Sequence, residues 1–404
     1  MKKLLLTVVL CLSVVLVFGQ KKVLNEAKKE IGNSSPNFTD ARNLIKQALQ
    51  DVETKGQAET WYVAGLIENK QFDVERSKEL IGQKADDKTM YLALKGIMPN
   101  FIIADSLDMS PDAKGKVKSK YRKDMKAIMT ANKLYYINGG AYFFEHKDYQ
   151  TAYDLFQQYL NIPNMKMFEG ENLAATDSLY SQIKFYSAIS LSQLGDPKKT
   201  IAAYLDMKDD GYKENEVYQY LCYEYEQTKD TAGLIVALKE GAEKFPGESY
   251  YLLSLINQYI YTNQNDEAIS YLNKAISVKP DDAQLYDVLG RIYENKGEFD
   301  KAEESFNKSI SLDPTYADAV GNLGRIYYNQ AVEAQQIANE IADNNKYKTE
   351  IAKVKEMFRK ALPYFEKAHQ MKPDERDYMV ALRGIYYNLD MGEQFDKIEK
   401  ELGN

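Results

Sequence analysis

Pro246, Pro280 and Pro314 stand 34 residues apart. Leu238, Leu272 and Phe306 keep the same step, as do Leu234, Ala268 and Ala302, and so do Tyr225, Tyr259, Tyr293 and Tyr327. Independent columns sharing one period define a repeat, in which each unit buries its apolar face against its neighbours because it cannot do so alone. The best-formed unit runs from Ala283 to Tyr316. Tyr286, Leu289, Gly290 and Tyr293 fall at i, i+3, i+4 and i+7, the spacing of one helix face. Lys296-Gly297-Glu298 is the turn, Gly being suited to a helix exit. Ala302, Phe306 and Ser309 line a second helix, which Asp313-Pro314 ends. Small residues at Gly290 and Ala302 let the two helices approach, and Phe306 fills the space beyond.

This unit resembles the tetratricopeptide (TPR) repeat, with Tyr286 at the place of that family's Trp. Counting back by 34 gives units opening at Ser249, Asn215 and Ser181, the last degenerate, with Ala188, Leu191, Thr200 and Tyr204 at the key places. Tyr136, Gly140, Phe143, Ala152 and Phe156 mark another unit, from Lys133 to Lys166. Downstream, Leu323, Gly324 and Tyr327 open a unit that Ala361, Phe365, Ala368 and Pro373 close. Residues 376–404 lack the consensus and are expected to cap the stack. The resemblance implies an all-α fold, a right-handed superhelical α-solenoid of antiparallel helix pairs.

The expected organisation is a signal peptide over 1–19, an irregular helical, degenerate TPR-like region over 20–132, and a TPR array over 133–404. In the irregular region Phe38, Ala41, Ile45 and Ala48 suit a second helix, and Trp61, Ala64 and Gly65 a first. Residues 88–131 read as helices punctuated by Pro99 and Ser110-Pro111. A 14-residue insertion, 167–180, contains Glu169-Gly170-Glu171 and reads as a loop. Tyr327 and Ala361 are 34 apart where the corresponding residues of the Ala283 unit, Tyr293 and Ala302, are nine apart. The excess carries Ala331, Ala334, Ala338, Ile341, Ile351 and Val354 at helical spacing. An extended helical hairpin over about residues 329–360 is therefore expected, its tip near Asp343-Asn344-Asn345 and its arms projecting as a contact element.

Lys2 and Lys3 precede an apolar run from Leu4 to Phe18. That run is shorter than the roughly 20 residues a bilayer requires and matches a secretory signal. Cleavage is expected after Gly19, leaving a periplasmic protein without a membrane span. Cys222 would then be the only cysteine, so no internal disulfide could form.

Chemistry is sparse. The chain has two His and two Cys. His146 lies in a turn and His369 near a helix end, each without partners in the sequence pattern. No zinc-protease, redox-dithiol, nucleophile-elbow or phosphate-loop motif is present. Neither an enzyme, a metal nor a cofactor is expected. A net charge of -8 disfavours nucleic acid. Many of the 32 tyrosines, Tyr259, Tyr293 and Tyr327 among them, occupy interhelical places set by the repeat, so packing explains them first.

A non-enzymatic scaffold that binds a protein or peptide is implied by the TPR resemblance, and is expected here in the bacterial cell envelope. The TPR resemblance implies that the second, fifth, ninth and twelfth places of each first helix line a concave groove. The ninth place gives Asn257, Arg291 and Arg325, 34 residues apart, with Tyr223 and Tyr261 as aromatic neighbours. A guanidinium can hold a carboxylate bidentately, and Asn can bond a peptide backbone. Carboxylate-clamp TPRs also place Lys at the fifth position, where this chain has Leu253, Asp287 and Gly321, so binding of chaperone tails is not implied. The competing reading of the arginines is structural, pairing with Asp287, Glu294 or Asp318. The competing function is an enzyme or a sugar- or lipid-binding subunit with a site in 20–132, built on Trp61, Phe72 and Phe101.

Overall fold

The computed structural model describes residues 21–403, so the expected signal peptide and its cleavage point lie outside the described residues. The described chain is all-α, a succession of helix pairs, with no strand among the described residues. It divides into two compact units at Lys229–Asp230.

The first unit contains α1 (21–32), α2 (Phe38–Gln50), α3 (Ala58–Leu80), α4 (Asp87–Asp108), α5 (Arg122–Glu145), α6 (Tyr149–Asn161), α7 (Tyr180–Gln193), α8 (Pro197–Met207) and α9 (Glu214–Gln227). From α2 onward each helix packs on the next. The second unit contains α10 (Thr231–Lys244), α11 (Ser249–Tyr261), α12 (Asn265–Val278), α13 (Ala283–Asn295), α14 (Phe299–Leu312), α15 (Ala317–Asn339), α16 (Asn344–Met371), α17 (Arg376–Asn388) and α18 (Gly392–Glu401). These too pack consecutively.

Helix starts follow the sequence. Asp148, Asp196, Asp230 and Asp282 are N-caps whose carboxylates accept from the N–H of Thr151, Lys199, Gly233 and Gln284 at 2.9–3.2 Å. Each satisfies one of the donors that a helix leaves open at its first turn.

Pairs close on a glycine facing an aromatic ring. A methyl group at Gly290 would stand 2.6 Å from the Phe306 ring, and one at Gly140 2.3 Å from Phe156. Only Gly lets the two backbones approach this far. The same device joins α3 to α4, where Gly65 faces Phe101 at 2.3 Å. Phe101, Phe306 and Phe72 are fully buried.

Pro99 does not punctuate α4; the helix runs through it to Asp108. Proline removes the N–H that would reach the carbonyl of Lys95. Gln158 of α6 supplies the missing donor, its Nε2 standing 2.8 Å from that carbonyl. Two short 3₁₀ turns follow α6, Ile162–Asn164 and Lys166–Phe168, the second leading into the 167–180 insertion. Met167 and Phe168 are buried, and Asp177 accepts from the Tyr159 hydroxyl at 2.5 Å and from Lys133 at 2.8 Å. In the second unit α15 and α16, of 23 and 28 residues, form the longest helix pair there, with the turn between them at 340–343. Asp343 caps α16 by accepting from the N–H of Asn345 and Lys346 at 2.9 Å.

Candidate functional site

The first helices α13, α15 and α17 of the second unit touch one another in sequence, and a cleft of about 610 Å³ opens along them. The helix register decides what faces it. Asp287 and Arg291 are four apart on α13, and Asn322, Arg325 and Asn329 follow at i, i+3 and i+7 on α15. The α17 wall contributes Glu375, Asp377 and Tyr378.

At the base lies Asp287, only 2% exposed. Its Oδ1 accepts from Asn322 Nδ2 at 2.7 Å, while its Oδ2 stands 3.4 Å from Arg291 Nε. Burial pushes its carboxyl above the ordinary aspartate range, opposed by the Asn322 hydrogen bond and the Arg291 charge. Tyr316, next to Asp287, is pushed up to about 12 by its own burial and then by the charges of Asp287 and Asp318.

The two arginines differ. Arg325 grips Glu294 of α13 with both arms of its fork, Nε to Oε1 at 3.1 Å and Nη2 to Oε2 at 2.6 Å. This bidentate bond ties α15 to α13. Arg291 makes the single 3.4 Å contact with Asp287, and half of its side chain is exposed. Both pairings belong to the structural reading of these residues. Arg291 nevertheless has most of its donors unbonded within the fold and lines the cleft.

The far wall is built by the terminal helices. The Tyr378 hydroxyl donates to Asp318 Oδ1 at 3.1 Å, and Lys372 Nζ stands 2.6 Å from the same oxygen. A side chain at Gly321 would meet the Tyr378 ring at 2.5 Å, which accounts for the glycine at that fifth place.

Of the sequence-derived site residues, Arg291 and Arg325 line this one cleft. Asn257 and Tyr261 are exposed on α11, Tyr261 to 83%, and are not part of its lining. Tyr223 is exposed on α9, in the other unit. The sequence reading missed Asn322, Asn329 and Tyr378. Asn329 had a signal, four residues beyond Arg325 on the same face. Tyr378 had none, because it belongs to a segment without consensus.

Of the trio considered for a site in 20–132, two residues are core and Trp61 packs partly buried against the cluster they belong to. Phe72 and Phe101 are fully buried, and Trp61 donates from Nε1 to the Lys55 carbonyl at 2.7 Å. Cys222 is buried in α9. His146 caps α5 with its Nδ1 2.8 Å from the Tyr142 carbonyl, and His369 Nε2 stands 3.0 Å from Glu401. No group of three or more His, Cys, Asp or Glu among the described residues is arranged to hold a metal ion. No described helix is long and apolar enough to cross a membrane.

A family model described as tetratricopeptide repeat matches residues 247–282 and 283–316. These two matches are α11–α12 and α13–α14, within a chain whose described residues form helices and no strand. No curated protein matches the sequence. Among solved structures, the chain is similar to the C-terminal part of a TPR repeat-containing protein from Cytophaga hutchinsonii, with 16% identity and a TM-score of 0.43, over 66% of this chain and 93% of that one. It is also similar to YrrB, a TPR protein with an unusual peptide-binding site, with 18% identity and a TM-score of 0.35 over 52% of this chain and 93% of that one. MamA from Desulfovibrio magneticus gives 16% identity and a TM-score of 0.31 over 45% of this chain and 96% of that one.

Proposed function

We propose that this protein is a non-enzymatic scaffold that captures an extended segment of a partner protein or peptide in the α13–α15–α17 cleft. One observation carries the reading: Arg291 lines the cleft with a half-exposed side chain held by one 3.4 Å contact, whereas its neighbour Arg325 is tied to Glu294 by a bidentate bond. A guanidinium with open donors beside carboxamides suits peptide carbonyls and carboxylates. Asn257 and Tyr261, on the preceding repeat of the same unit, would extend the contact surface. The 133–404 array and its long hairpin are the scaffold's frame in this reading.

The test separates binding from folding. Arg291→Ala should weaken capture of envelope proteins, identified by cross-linking, several-fold with little change in melting temperature. Arg325→Ala should instead cost stability, about 1 kcal/mol, because it strands the largely buried Glu294. Unchanged capture by the Arg291 variant overturns the reading.

The charged start and short apolar run of residues 2–18 support export to the periplasm with cleavage after Gly19. Mass spectrometry of the exported protein should find Gln20 at the N-terminus; an intact Met1 on it overturns this.

A further inference from the structure

The α4–α5 connection carries a charge pattern that the cleft does not use. From Lys114 to Lys126 seven of thirteen residues are Lys or Arg and one is acidic, in a chain of net charge -8. Two carboxylates shape this loop. Asp108, at the end of α4, accepts from the N–H of Lys120, Tyr121 and Arg122 at 2.9–3.0 Å and from Ser119 Oγ at 2.8 Å. Asp112 Oδ1 accepts from the N–H of Lys114 at 2.9 Å and of Lys116 at 3.0 Å, with Gly115 at φ +73° completing the turn.

Three of the basic groups are spent internally: Arg122 on Asp105, Lys126 on Glu171, and Lys120 over the Tyr121 ring. Lys114, Lys116, Lys118 and Lys123 are exposed and form no ion pair with any described residue. Val117, between two of them, is 46% exposed. The Tyr121 ring is covered by Tyr62, their centroids 4.4 Å apart.

We propose that this loop docks the protein on an anionic lipid surface, with the four unpaired lysines meeting phosphate headgroups and Val117 entering the interface. A lysine cluster is drawn to anionic headgroups within roughly a Debye length, about 8 Å at physiological salt. An apolar side chain among lysines suits the bilayer interface. Single-stranded nucleic acid fits less well, because the loop offers no free ring for bases to stack on. The loop is held by Asp108 and Asp112 before it meets a partner, so little ordering is left to oppose docking. The acidic remainder of the chain repels the same surface, which makes docking orientation-specific and salt-sensitive.

The test is co-sedimentation of the full chain with vesicles of phosphatidylcholine alone and of phosphatidylcholine mixed with phosphatidylglycerol. The apolar run of residues 4–18 can enter either bilayer, so the readout is the ratio of the two partition coefficients. The wild-type ratio should favour the anionic vesicles by at least about tenfold at low salt and collapse as salt rises. Changing Lys114, Lys116, Lys118 and Lys123 together to Ala should abolish most of that ratio, and changing all four to Arg should keep it. All four are exposed, and the circular dichroism of both variants should match the wild type. Equal wild-type partition into the two vesicles overturns the proposal, as does an undiminished ratio in the Ala variant. Lysine-dependent binding to polyglutamate or duplex DNA without preference for anionic vesicles overturns it as well.

Discussion

Asp108 and Asp287 are both nearly buried carboxylates, 8% and 2% exposed, and their surroundings drive them in opposite directions. Around Asp287 burial wins, and its carboxyl is raised. Around Asp108 burial also works against the charge, but the N–H groups of Lys120, Tyr121 and Arg122 and the Ser119 hydroxyl outweigh it, so the carboxyl is lowered. A carboxyl whose folded pKa lies below its unfolded value stabilises the fold above the unfolded value. That contribution is lost as pH falls through the folded pKa. Asp108→Asn leaves one acceptor oxygen where two served four donors, and should cost about 1–3 kcal/mol at neutral pH. The difference from wild type should shrink as pH falls from the unfolded value, about 3.9, through the lowered folded value, where the wild-type carboxyl also protonates. Urea unfolding of both proteins at neutral and strongly acid pH checks this; a pH-independent difference would mean that the hydrogen bonds count without the charge.

At the scale of the element, α4 shows how a helix breaker is accommodated. Pro99 deprives the Lys95 carbonyl of its helical partner, and Gln158, on α6, repairs the gap. Removing that donor with Gln158→Ala should cost about 1–3 kcal/mol, the penalty of an unsatisfied polar group. In a Pro99→Ala background the backbone N–H returns, and the same Gln158 change should cost much less. Thermal or urea unfolding of the four-member cycle measures the coupling, and additive effects would disprove the repair. Pro99 was legible in the sequence as a break because a proline inside a helix usually is one. The partner that overrides it lies 59 residues away, beyond any local pattern.

For the whole molecule, the boundary between the compact units falls just before the Asp230 N-cap of α10. A fragment beginning at Asp230 keeps that cap and every helix of the second unit. Because repeat stability resides in each pair and its neighbours, the fragment 230–404 should be helical and unfold cooperatively on its own. Circular dichroism through a thermal melt tests it, and a fragment with little helix or no transition contradicts it. Two residues of the candidate site were readable beforehand at this scale. The 34-residue step put Arg291 and Arg325 at equivalent places on neighbouring first helices, and both face one cleft. The bond that distinguishes them, Arg325 to Glu294, depends on how α13 and α15 pack together.

The sequence by itself determined the helix pairs wherever the contact is local in the repeat. Gly290 and Phe306, like Gly140 and Phe156, are 16 residues apart, and that spacing announces two helices joined by a short turn. It also set the starts of the helices that an Asp caps, since that side chain reaches only the N–H groups of its own first turn. Only the tertiary structure decided that Gly65 meets Phe101 across 36 residues, because the contact depends on how α3 and α4 lie together and not on the length of chain between them. It likewise decided that Tyr378 closes the cleft over Gly321, through a helix whose sequence carries no repeat. Periodicity follows from the geometry of one helix, whereas the partner across an interface follows from which side chains fill the same space once the helices have packed.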